Sequence, residues 1–378
     1  NNIITMDIKQ FLVAARTKPF ILLAGISGTG KSRIVRKLAQ ATDDIDTFAN
    51  EADRWDCHSP ANFKLIQVKP NWHNSMDVVG YKSNIGGEHY EFTPFVEFVA
   101  KAWKHLNTPF FLCLDEMNLA PVEEYFAEYL SAIESRTLEN GVYETDPIIK
   151  PFKEFGEGLS ANMITKLLGK NPENDIALRF REKGLTLPPN LIVMGTVNMD
   201  DTTFSFSRKV LDRAMSIEMN EVNYDAFLNG DTENDVPVLE ENNSLLIDRP
   251  LKGTDVKDFI EAESVIEYLK EINTALDGTP FKLGYRAANE ALLYVAAAKT
   301  LGNDDLADAL DQFTLMKILS RIEGDESKLM SKDEDKTILD VLNEVISEKI
   351  GGDNRKSIKK IDEMSNILKR DHFVSYWA

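Results

Sequence analysis

Apolar residues in this chain fall into short unbroken runs, and several of these runs are followed by segments with helical periodicity. The run PFILLAG ends in a glycine-rich turn, and residues 31–41 after it repeat apolar positions at helical spacing. Comparable runs follow in the first half of the chain: FKLIQV, PFFLCLDE, NLIVMGTVN and the shorter AMSIEM. Strands that alternate with helices predict an α/β fold, with a parallel sheet flanked by helices.

The balance of strand and helix signals changes along the chain and predicts separate domains. From about residue 255 strand signals nearly vanish and helices dominate. We predict an N-terminal helix at 1–18, an α/β core at 19–222, an acidic, Asn-rich linker at 223–250 and a smaller all-helical domain at 251–378. Within the core, glycine-punctuated alternation at about 78–93 predicts a small hairpin, and the mixed segment 139–188 is interpreted as an insertion.

The net charge limits the direct partners of the protein. Lys and Arg number 43 against 62 Asp and Glu, which gives a formal charge of -19 and a pI of about 4.8. Such a field repels a polyanion such as DNA unless a local basic patch faces it. If DNA is the final target, we expect another domain or subunit to provide the DNA-binding surface.

Cysteine content and hydropathy favour a cytoplasmic protein. Cys57 and Cys113 are the only cysteines, too few for a disulfide framework and without the ligand pairs that zinc requires. No apolar run approaches the roughly 18–20 residues needed to cross a bilayer, and the chain does not open on a signal-peptide pattern. We therefore expect a reducing, cytoplasmic location and no membrane partner.

The segment after the first predicted strand matches the phosphate-binding pattern G-x-x-x-x-G-K-[ST] at every fixed position. Glycines let the backbone turn tightly around an oxyanion, and the helix that begins here adds its positive end. We expect Lys31 to neutralise the β- and γ-phosphates and Ser32 to bind Mg²⁺. A chance glycine-rich turn is the alternative, but it would not require the strand and helix on either side. The phosphate-binding candidates are Gly25, Ile26, Ser27, Gly28, Thr29, Gly30, Lys31, Ser32 and Arg33.

Two carboxylates, Asp115 and Glu116, end the apolar run FFLCL. This position corresponds to the carboxyl edge of the predicted sheet, where α/β proteins bind ligands. We expect Asp115 to hold Mg²⁺ through its water shell and Glu116 to act as general base on the attacking water. A solvated acidic turn is the ordinary alternative, and the phosphate loop upstream favours the functional interpretation.

Three further candidates depend on the presence of these motifs. Asn198 ends the run LIVMGTVN and can position the lytic water, although an Asn at a strand end is commonly a turn former. Arg208 and Arg213 lie on the next predicted helix, where an arginine can reach a γ-phosphate held by a neighbouring protomer. A solvated helix face is the alternative for either arginine.

Taken in order, these segments resemble a known family. GISGTGKS, FFLCLDEMNLAPVEEYFAEYLSAIESR, LIVMGTVNMDD and SFSRKVLDRA are similar to an AAA+ module. They most resemble the McrB family, the GTP-dependent motors of methylcytosine-specific restriction systems. GYRAANEALLY and LMKILSRIEGD look like the helical lid of that family. The resemblance therefore implies an AAA+ P-loop core followed by a lid domain.

The resemblance also assigns roles within the core. It implies that Gly25 to Ser32 form the Walker A loop, that Asp115 and Glu116 are the Walker B pair, and that Asn198 is the first sensor. The segment at 78–93 resembles the insertion in helix 2 of this branch of AAA+ proteins. The segment at 139–188 resembles an insertion before the first sensor.

For the arginines, the resemblance implies contacts with nucleotide across a ring. Arg213 stands where such modules place the finger offered to the adjacent subunit, and Arg208 is its rival. Arg286, in the Gly-Tyr-Arg that opens a helix of the second lobe, would be a second sensor in the lid. The implied assembly is a ring, with six protomers as the expected number.

The chain departs from the family at one informative place. McrB proteins resemble one another in a Met-Asn-x-x-Asp-Arg signature, whereas here Val197 precedes Asn198 and the run ends in Asp201 and Thr202. Because the arginine is replaced by Thr202, the substrate can be either GTP or ATP. Midasin-like and MoxR-like remodelling ATPases share the helix-2 insertion and are close rivals.

Four functions are open at this point, of which a monomeric switch or kinase is the weakest because neither would need Arg213 and a helical lid arranged in this way. The first is a McrB-like motor that translocates DNA towards a separate, McrC-like endonuclease, since the chain contains neither a nuclease motif nor a recognition domain for modified DNA. The second is an ATPase that remodels protein complexes, which suits the acidic charge. The third is a nucleotide-gated scaffold with little turnover, against which Glu116 argues because a scaffold needs no general base.

Overall fold

The structure is a computed structural model that describes residues 8–42, 60–170, 174–199, 206–220, 224, 228, 243–332, 336–352 and 354–377. Several positions discussed above lie outside these residues. They are Cys57, Asp201, Thr202, the first residues of the predicted N-terminal helix and most of the predicted linker.

Eleven strands are found in the described ranges, and five of them form one parallel sheet. The order across that sheet is β2-β5-β8-β1-β9. These five strands coincide with the five apolar runs, so the predicted α/β class with a parallel sheet is confirmed. The strands are β1 (Phe20–Gly25), β2 (Phe63–Gln67), β3 (Tyr81–Ser83), β4 (His89–Glu91), β5 (Phe110–Asp115), β6 (Thr137–Glu139), β7 (Val142–Glu144), β8 (Leu191–Asn198), β9 (Met215–Glu218), β10 (Glu323–Asp325) and β11 (Phe373–Ser375).

Burial separates the central strands of the sheet from its edge. All residues of β1 are buried, as are those of β5 and β8 apart from the last residue of each. Such strands read as continuous apolar runs because both of their faces are covered. β2 is an edge strand with mostly exposed or half-buried residues, and Leu65 in it is 37% exposed. The sheet is thus anchored by its inner strands.

Helices precede, connect and follow the strands. Their starts follow local capping chemistry: Thr93 accepts a hydrogen bond from the Val96 amide before the helix at Pro94–Lys104, and Thr337 forms a reciprocal capping box with Asp340 before the helix at Ile338–Ile350. The helices are α1 (Ile8–Thr17), α2 (Lys31–Thr42), α3 (Met76–Val79), α4 (Pro94–Lys104), α5 (Val122–Tyr125), α6 (Ala127–Glu134), α7 (Glu157–Leu168), α8 (Asn174–Lys183), α9 (Arg208–Leu211), α10 (Asn243–Ile247), α11 (Ala262–Ala275), α12 (Tyr285–Thr300), α13 (Leu306–Phe313), α14 (Ile338–Ile350) and α15 (Lys356–Asp371).

The chain groups into two compact units. Among the described residues, the first unit comprises those in 25–213 and 219–249, and the second those in 8–24, 214–218 and 250–377. The second unit is therefore assembled from three separate stretches of sequence. The domain boundaries proposed from the sequence, at 18, 222 and 250, stay predictions.

Small antiparallel hairpins accompany the main sheet. β3 pairs with β4, as the alternation at 78–93 predicted, and β6 pairs with β7 at the start of the segment interpreted as an insertion. That segment continues through α7 and α8. β10 pairs with β11, so the prediction of an all-helical C-terminal domain is wrong in this detail, although the domain is mainly helical. Each of these two strands has only three residues and Gly324 lies in one, which leaves no strand signal in the sequence.

No helix in the described ranges is long and apolar enough to cross a membrane.

The second unit contains a buried cluster of three ionisable side chains. Glu290 on α12 accepts from Lys18 Nζ at 2.7 Å and pairs with Lys317 Nζ at 2.8 Å, and all three side chains are less than 5% exposed. Lys317 also donates to the carbonyl oxygen of Ala214 at 2.8 Å. Lys317 lies on a single π-helical turn, Thr314–Ile318, a rare geometry in which the turn contains one extra residue. The cluster joins all three stretches of the second unit.

Replacing Glu290 by Gln should strongly destabilise this unit. The two buried lysines would lose the carboxylate that compensates them, and breaking a buried ion pair in this way costs about 3–5 kcal/mol. Denaturant unfolding followed by circular dichroism measures the change. Glu344→Gln is the matched control, because the Lys336–Glu344 pair is exposed and should contribute less than about 1 kcal/mol.

Acid should erase the difference between the wild type and Glu290→Gln. Burial alone would raise the pKa of Glu290, but the charges of Lys18 and Lys317 outweigh it and lower the pKa from 4.5 to about 2. A carboxyl group whose pKa is lowered by folding stabilises the folded protein at pH values above its pKa in the unfolded chain. This stabilisation is lost as the pH falls from about 4.5 towards 2. An undiminished difference at pH 2.5 would contradict the ion cluster.

Candidate active site

The phosphate-loop motif lies between the last residue of β1 and the start of α2. Gly28 and Gly30 have φ angles of 84° and 83°, a left-handed backbone that glycine adopts without steric cost. The buried Lys31 side chain folds back along the loop, and its Nζ donates to the carbonyl oxygens of Gly25 at 2.8 Å and Ile26 at 2.7 Å. The loop therefore closes around a positive charge that its own carbonyls orient.

Gly25 marks a close approach between two backbone segments. A Cβ at this position would lie 2.4 Å from the carbonyl oxygen of Met219 and 2.9 Å from Oδ1 of Asn220. The same Oδ1 accepts a hydrogen bond from the Ile26 amide at 2.9 Å. Only glycine fits here, and the approach lets Asn220 fix the first peptide group of the loop.

The two acidic residues meet β8 through one hydroxyl group. Thr196 Oγ1 donates to Oδ1 of Asp115 at 2.7 Å and accepts from the amide of Glu116 at 2.9 Å. Glu116 has φ 53° and ψ 51°, a left-handed conformation that costs a non-glycine residue about 1–3 kcal/mol. Strain of this kind is concentrated at functional sites. The backbone turns sharply after β5, and Thr196 holds it in that turn.

Hydrogen bonds continue from the acidic pair to the phosphate loop. Asn198 Nδ2 donates to Oε1 of Glu116 at 3.4 Å, and the Met199 amide donates to the carbonyl oxygen of Gly25 at 3.2 Å. All these groups belong to the first unit. We call this connected set the edge row. Its members are Asp115, Glu116, Thr196, Asn198, Met199, Gly25, Ile26 and Asn220.

The edge row lies at a reversal of strand order. β1 and β8 are neighbours in the sheet, yet the chain leaves β1 for β2 on one side and leaves β8 for β9 on the other. Adjacent parallel strands with connections in opposite directions leave a crevice at their carboxyl ends, which is the usual ligand site of open α/β sheets. The topology therefore favours this edge for a ligand.

The remaining candidate residues occupy different places. Ser32 is half-buried in the first turn of α2, and Arg33 beside it is exposed. Arg208 starts α9, and Arg213 follows that helix, where its Nη1 donates to the Lys209 carbonyl oxygen at 3.0 Å. Arg286 is exposed in the first turn of α12 and belongs to the second unit.

Sequence reasoning missed three members of the edge row: Thr196, Asn220 and Met199, of which Met199 contributes only its backbone amide. Thr196 stands two residues before Asn198, and residues two apart on a strand point to the same face, so the strand assignment could have revealed it. Asn220 follows β9 and looks like any loop residue, because its partner Ile26 is 194 positions away in the sequence. Thr196 could thus be found from the local strand pattern, whereas the contact of Asn220 with Ile26 can be found only once the strand order of the sheet is known.

Asp115 and Ser32 carry oxygen donors of the kind that would suit a magnesium ion held partly by phosphate. Asp115 offers a carboxylate fixed by Thr196, and Ser32 offers a hydroxyl, which are the hard oxygen ligands that Mg²⁺ prefers. Within the described ranges, no group of three or more His, Cys, Asp and Glu forms a metal site. Mg²⁺ commonly takes one or two protein ligands and completes its shell with substrate phosphates and water, so the small donor set is adequate.

Cys113 lies two residues before Asp115 and is chemically inert. Its side chain is fully buried, and burial raises the pKa of the thiol, an effect that the nearby charge of Asp115 increases. The neutral thiol is not a nucleophile. Cys113 is therefore a small core residue of β5.

The C-terminal part of the chain matches a protein-family model. Residues 245–373 match the model of a domain of unknown function, DUF8727, which covers the main helices of the second unit. No curated protein matches the chain. The match describes the C-terminal part of the molecule and carries no activity with it.

Gly25→Ala should disturb the loop, whereas the same change at Gly158 should not. The added methyl would meet the Met219 carbonyl, and overpacking of this kind costs about 1–3 kcal/mol. At Gly158, in α7, a Cβ meets nothing within 4 Å, and alanine in a helix is favoured by about 0.5–1 kcal/mol. Unfolding midpoints of the two variants should move in opposite directions, and equal midpoints would contradict the close approach.

Proposed function

We propose that this protein is a nucleoside-triphosphatase of the AAA+ class, similar to McrB, which hydrolyses GTP or ATP with Mg²⁺. The observation that supports it most strongly is the edge row, which connects the phosphate-loop motif to the acidic pair within one unit. A phosphate loop or an acidic strand end alone is a weak signal. Their connection through Thr196, Asn198 and Gly25 gives one place where phosphate, metal and water can meet.

Binding of the triphosphate rests on the loop and on Lys31. The ammonium group is held by the Gly25 and Ile26 carbonyls, and these neutral acceptors can be exchanged for phosphate oxygens that attract the charge more strongly. The amides of the loop and the start of α2 add partial positive charge on the same side. Gly28 and Gly30 allow the backbone to follow the phosphates closely.

Asp115 and Ser32 would hold Mg²⁺ beside the phosphates. When bound, the ion neutralises charge on the phosphate oxygens and orients them for attack. Thr196 fixes Oδ1 of Asp115, so the carboxylate has one preferred rotation. Preorganisation of this kind avoids the cost of orienting the carboxylate on each turnover.

Glu116 would take the proton of the attacking water, with Asn198 orienting the carboxylate. The Asn198 amide donates to Oε1 of Glu116, and the left-handed turn directs the Glu116 backbone away from the line of β5. A positioned general base contributes about 10²–10⁴-fold in rate. Thus the strain at Glu116 is consistent with a base held in place for reaction.

Assembly would complete the site. Arg213, or its rival Arg208, would stabilise transition-state charge on the nucleotide of a neighbouring protomer, and Arg286 would act as a second sensor. Such a finger can contribute 10³–10⁵-fold, as a rough range for this class. A ring of six protomers follows from the resemblance to AAA+ modules. Turnover would then depend on protein concentration.

The proposed biological role is a motor of a modification-dependent restriction system. The protein would move DNA through the ring towards a separate, McrC-like endonuclease. Because the formal charge is -19, DNA contact would be indirect or limited to the pore. We expect the ring to work in the cytoplasm.

A second candidate is remodelling of protein complexes, as in MoxR-like and midasin-like ATPases. The strong negative charge favours it, since a protein client tolerates an acidic surface better than DNA does. Copurification distinguishes the two: a nuclease subunit supports restriction, and a bound protein client supports remodelling.

The direct test is turnover of GTP and of ATP at several protein concentrations with Mg²⁺. Activity that rises more steeply than concentration supports a site shared between subunits. Turnover of one nucleotide only identifies the substrate. Absence of both turnover and nucleotide binding would refute the proposal.

Glu116→Gln should lower kcat by about 10²–10⁴-fold and leave nucleotide binding nearly unchanged, since the amide cannot accept the proton. Glu124→Gln, at an exposed glutamate of α5, is the matched control and should keep wild-type turnover. Single-turnover phosphate release and calorimetric binding provide the two readouts. Wild-type kcat in Glu116→Gln would contradict the role of the base.

A further inference from the structure

Thr196 is a polar residue inside one of the most buried strands of the sheet. Its side chain is 2% exposed, and its neighbours in β8, Gly195 and Val197, are buried as well. A threonine hydroxyl in such a place must satisfy its hydrogen bonds within the protein. Here both of its partners, Asp115 and Glu116, are the residues proposed to act on nucleotide.

The direction of each hydrogen bond at Thr196 is fixed by chemistry. A backbone amide can only donate, so the hydroxyl oxygen accepts from Glu116. The single hydroxyl hydrogen is then given to Oδ1 of Asp115. One oxygen atom therefore sets both the rotation of the Asp115 carboxylate and the position of the Glu116 backbone.

The conformation of Glu116 depends on hydrogen bonds to β8, the strand that carries Thr196. Glu116 is in the left-handed region and needs support from its surroundings to stay there. Two residues along the strand from Thr196, Asn198 donates to the Glu116 side chain. Two residues of β8 thus position Glu116: Thr196 binds its backbone amide, and Asn198 binds its carboxylate.

We propose that Thr196 is a positioning residue that sets the metal-holding carboxylate of Asp115 and the base Glu116 relative to each other. This inference rests on the proposed hydrolysis. It assigns the hydroxyl, rather than the shape of the side chain, as the functional group. Without the hydroxyl, the partly buried Glu116 amide loses its acceptor and the Asp115 carboxylate loses its hydrogen-bond donor.

Thr196→Val is the variant that isolates the hydroxyl, because valine keeps the branched shape. Loss of an outer partner of a metal-holding residue typically costs about 10–100-fold in metal affinity or activity. We expect kcat to fall at least about 10-fold and the half-saturating Mg²⁺ concentration to rise by a similar factor. The KM for nucleotide should change little, because the phosphate loop is untouched.

Thr196→Ser restores the hydroxyl on a smaller side chain and should return kcat and the Mg²⁺ requirement to near the wild-type values. Thr42→Val is the matched control. Thr42 is also fully buried and bonded through its hydroxyl, to the carbonyl oxygens of Leu38 and Ala39 at the end of α2. Thr42→Val therefore removes a threonine hydroxyl oxygen from the same unit as Thr196→Val does, but at a site away from Asp115 and Glu116.

Calorimetric binding of a non-hydrolysable nucleotide, with and without Mg²⁺, gives a readout that does not depend on turnover. Thr196→Val should bind like the wild type without Mg²⁺ and lose part of the enhancement that Mg²⁺ gives. If Thr196→Val does not fold, as judged by its unfolding midpoint, Thr196→Ala replaces it as the hydroxyl-free variant.

Two outcomes would overturn the inference while the proposed function stands. In the first, Thr196→Val matches Thr42→Val in kcat and in Mg²⁺ dependence, which means that Thr196 only packs. In the second, Thr196→Ser is as impaired as Thr196→Val, which means that the hydroxyl is not the functional group. A wild-type protein that neither binds nor hydrolyses nucleotide would instead overturn the proposed function, and this inference with it.

Discussion

Hydrogen bonds at the carboxyl ends of β5 and β8, and from β8 to the end of β1, set the geometry of this molecule's polar edge. Apolar strands leave the core here, and their last peptide groups need partners as they emerge. Thr196 supplies both a donor and an acceptor to the end of β5, and the Gly25 carbonyl accepts from the residue after β8. A shift of β5 along its axis would break both Thr196 bonds, and a shift of β8 would break these and the bond to Gly25, so the register of these strands and the geometry of the edge depend on each other.

That constraint also explains the tight conformations nearby. Gly25 has no room for a Cβ because the segment after β9 crosses it, and Glu116 turns left-handed because its amide must reach Thr196. Each feature would be unfavourable in isolation. The surrounding packing and hydrogen bonds hold Gly25 and Glu116 in these conformations. Strained residues persist in proteins when such interactions outweigh the cost of the strain.

Much of the fold could be predicted from the sequence, for an identifiable reason. Buried parallel strands need apolar side chains on both faces, so β1, β5 and β8 are continuous apolar runs that stand out without any alignment. The strands β10 and β11 were not predictable. Their three residues each include polar side chains or glycine, and their pairing joins positions far apart in the sequence.

The candidate site divides in the same way. Two short continuous motifs contain the loop glycines with Lys31 and the acidic pair Asp115 and Glu116. The local sequence pattern was therefore sufficient to identify these residues as candidates. Asn220 and the Lys18–Glu290–Lys317 cluster depend on contacts between distant segments, and isolated lysines or asparagines have no local signature for such roles. The roles of the arginines stay predictions, because a contact with a neighbouring protomer is not a property of one chain.

The buried ion cluster has a consequence for how the protein is made. Lys18 and Glu290 are 272 residues apart, so at ribosomal rates of 5–20 residues per second the lysine waits roughly 10–60 s for its partner. The second unit can close only late in synthesis. A fragment cut to residues 245–373 would keep Glu290 and Lys317 but lose Lys18 and the Ala214 carbonyl. Its interior would then keep a neutral Glu290–Lys317 pair, in which Glu290 lacks the donor Lys18 and Lys317 lacks the acceptor oxygen of Ala214.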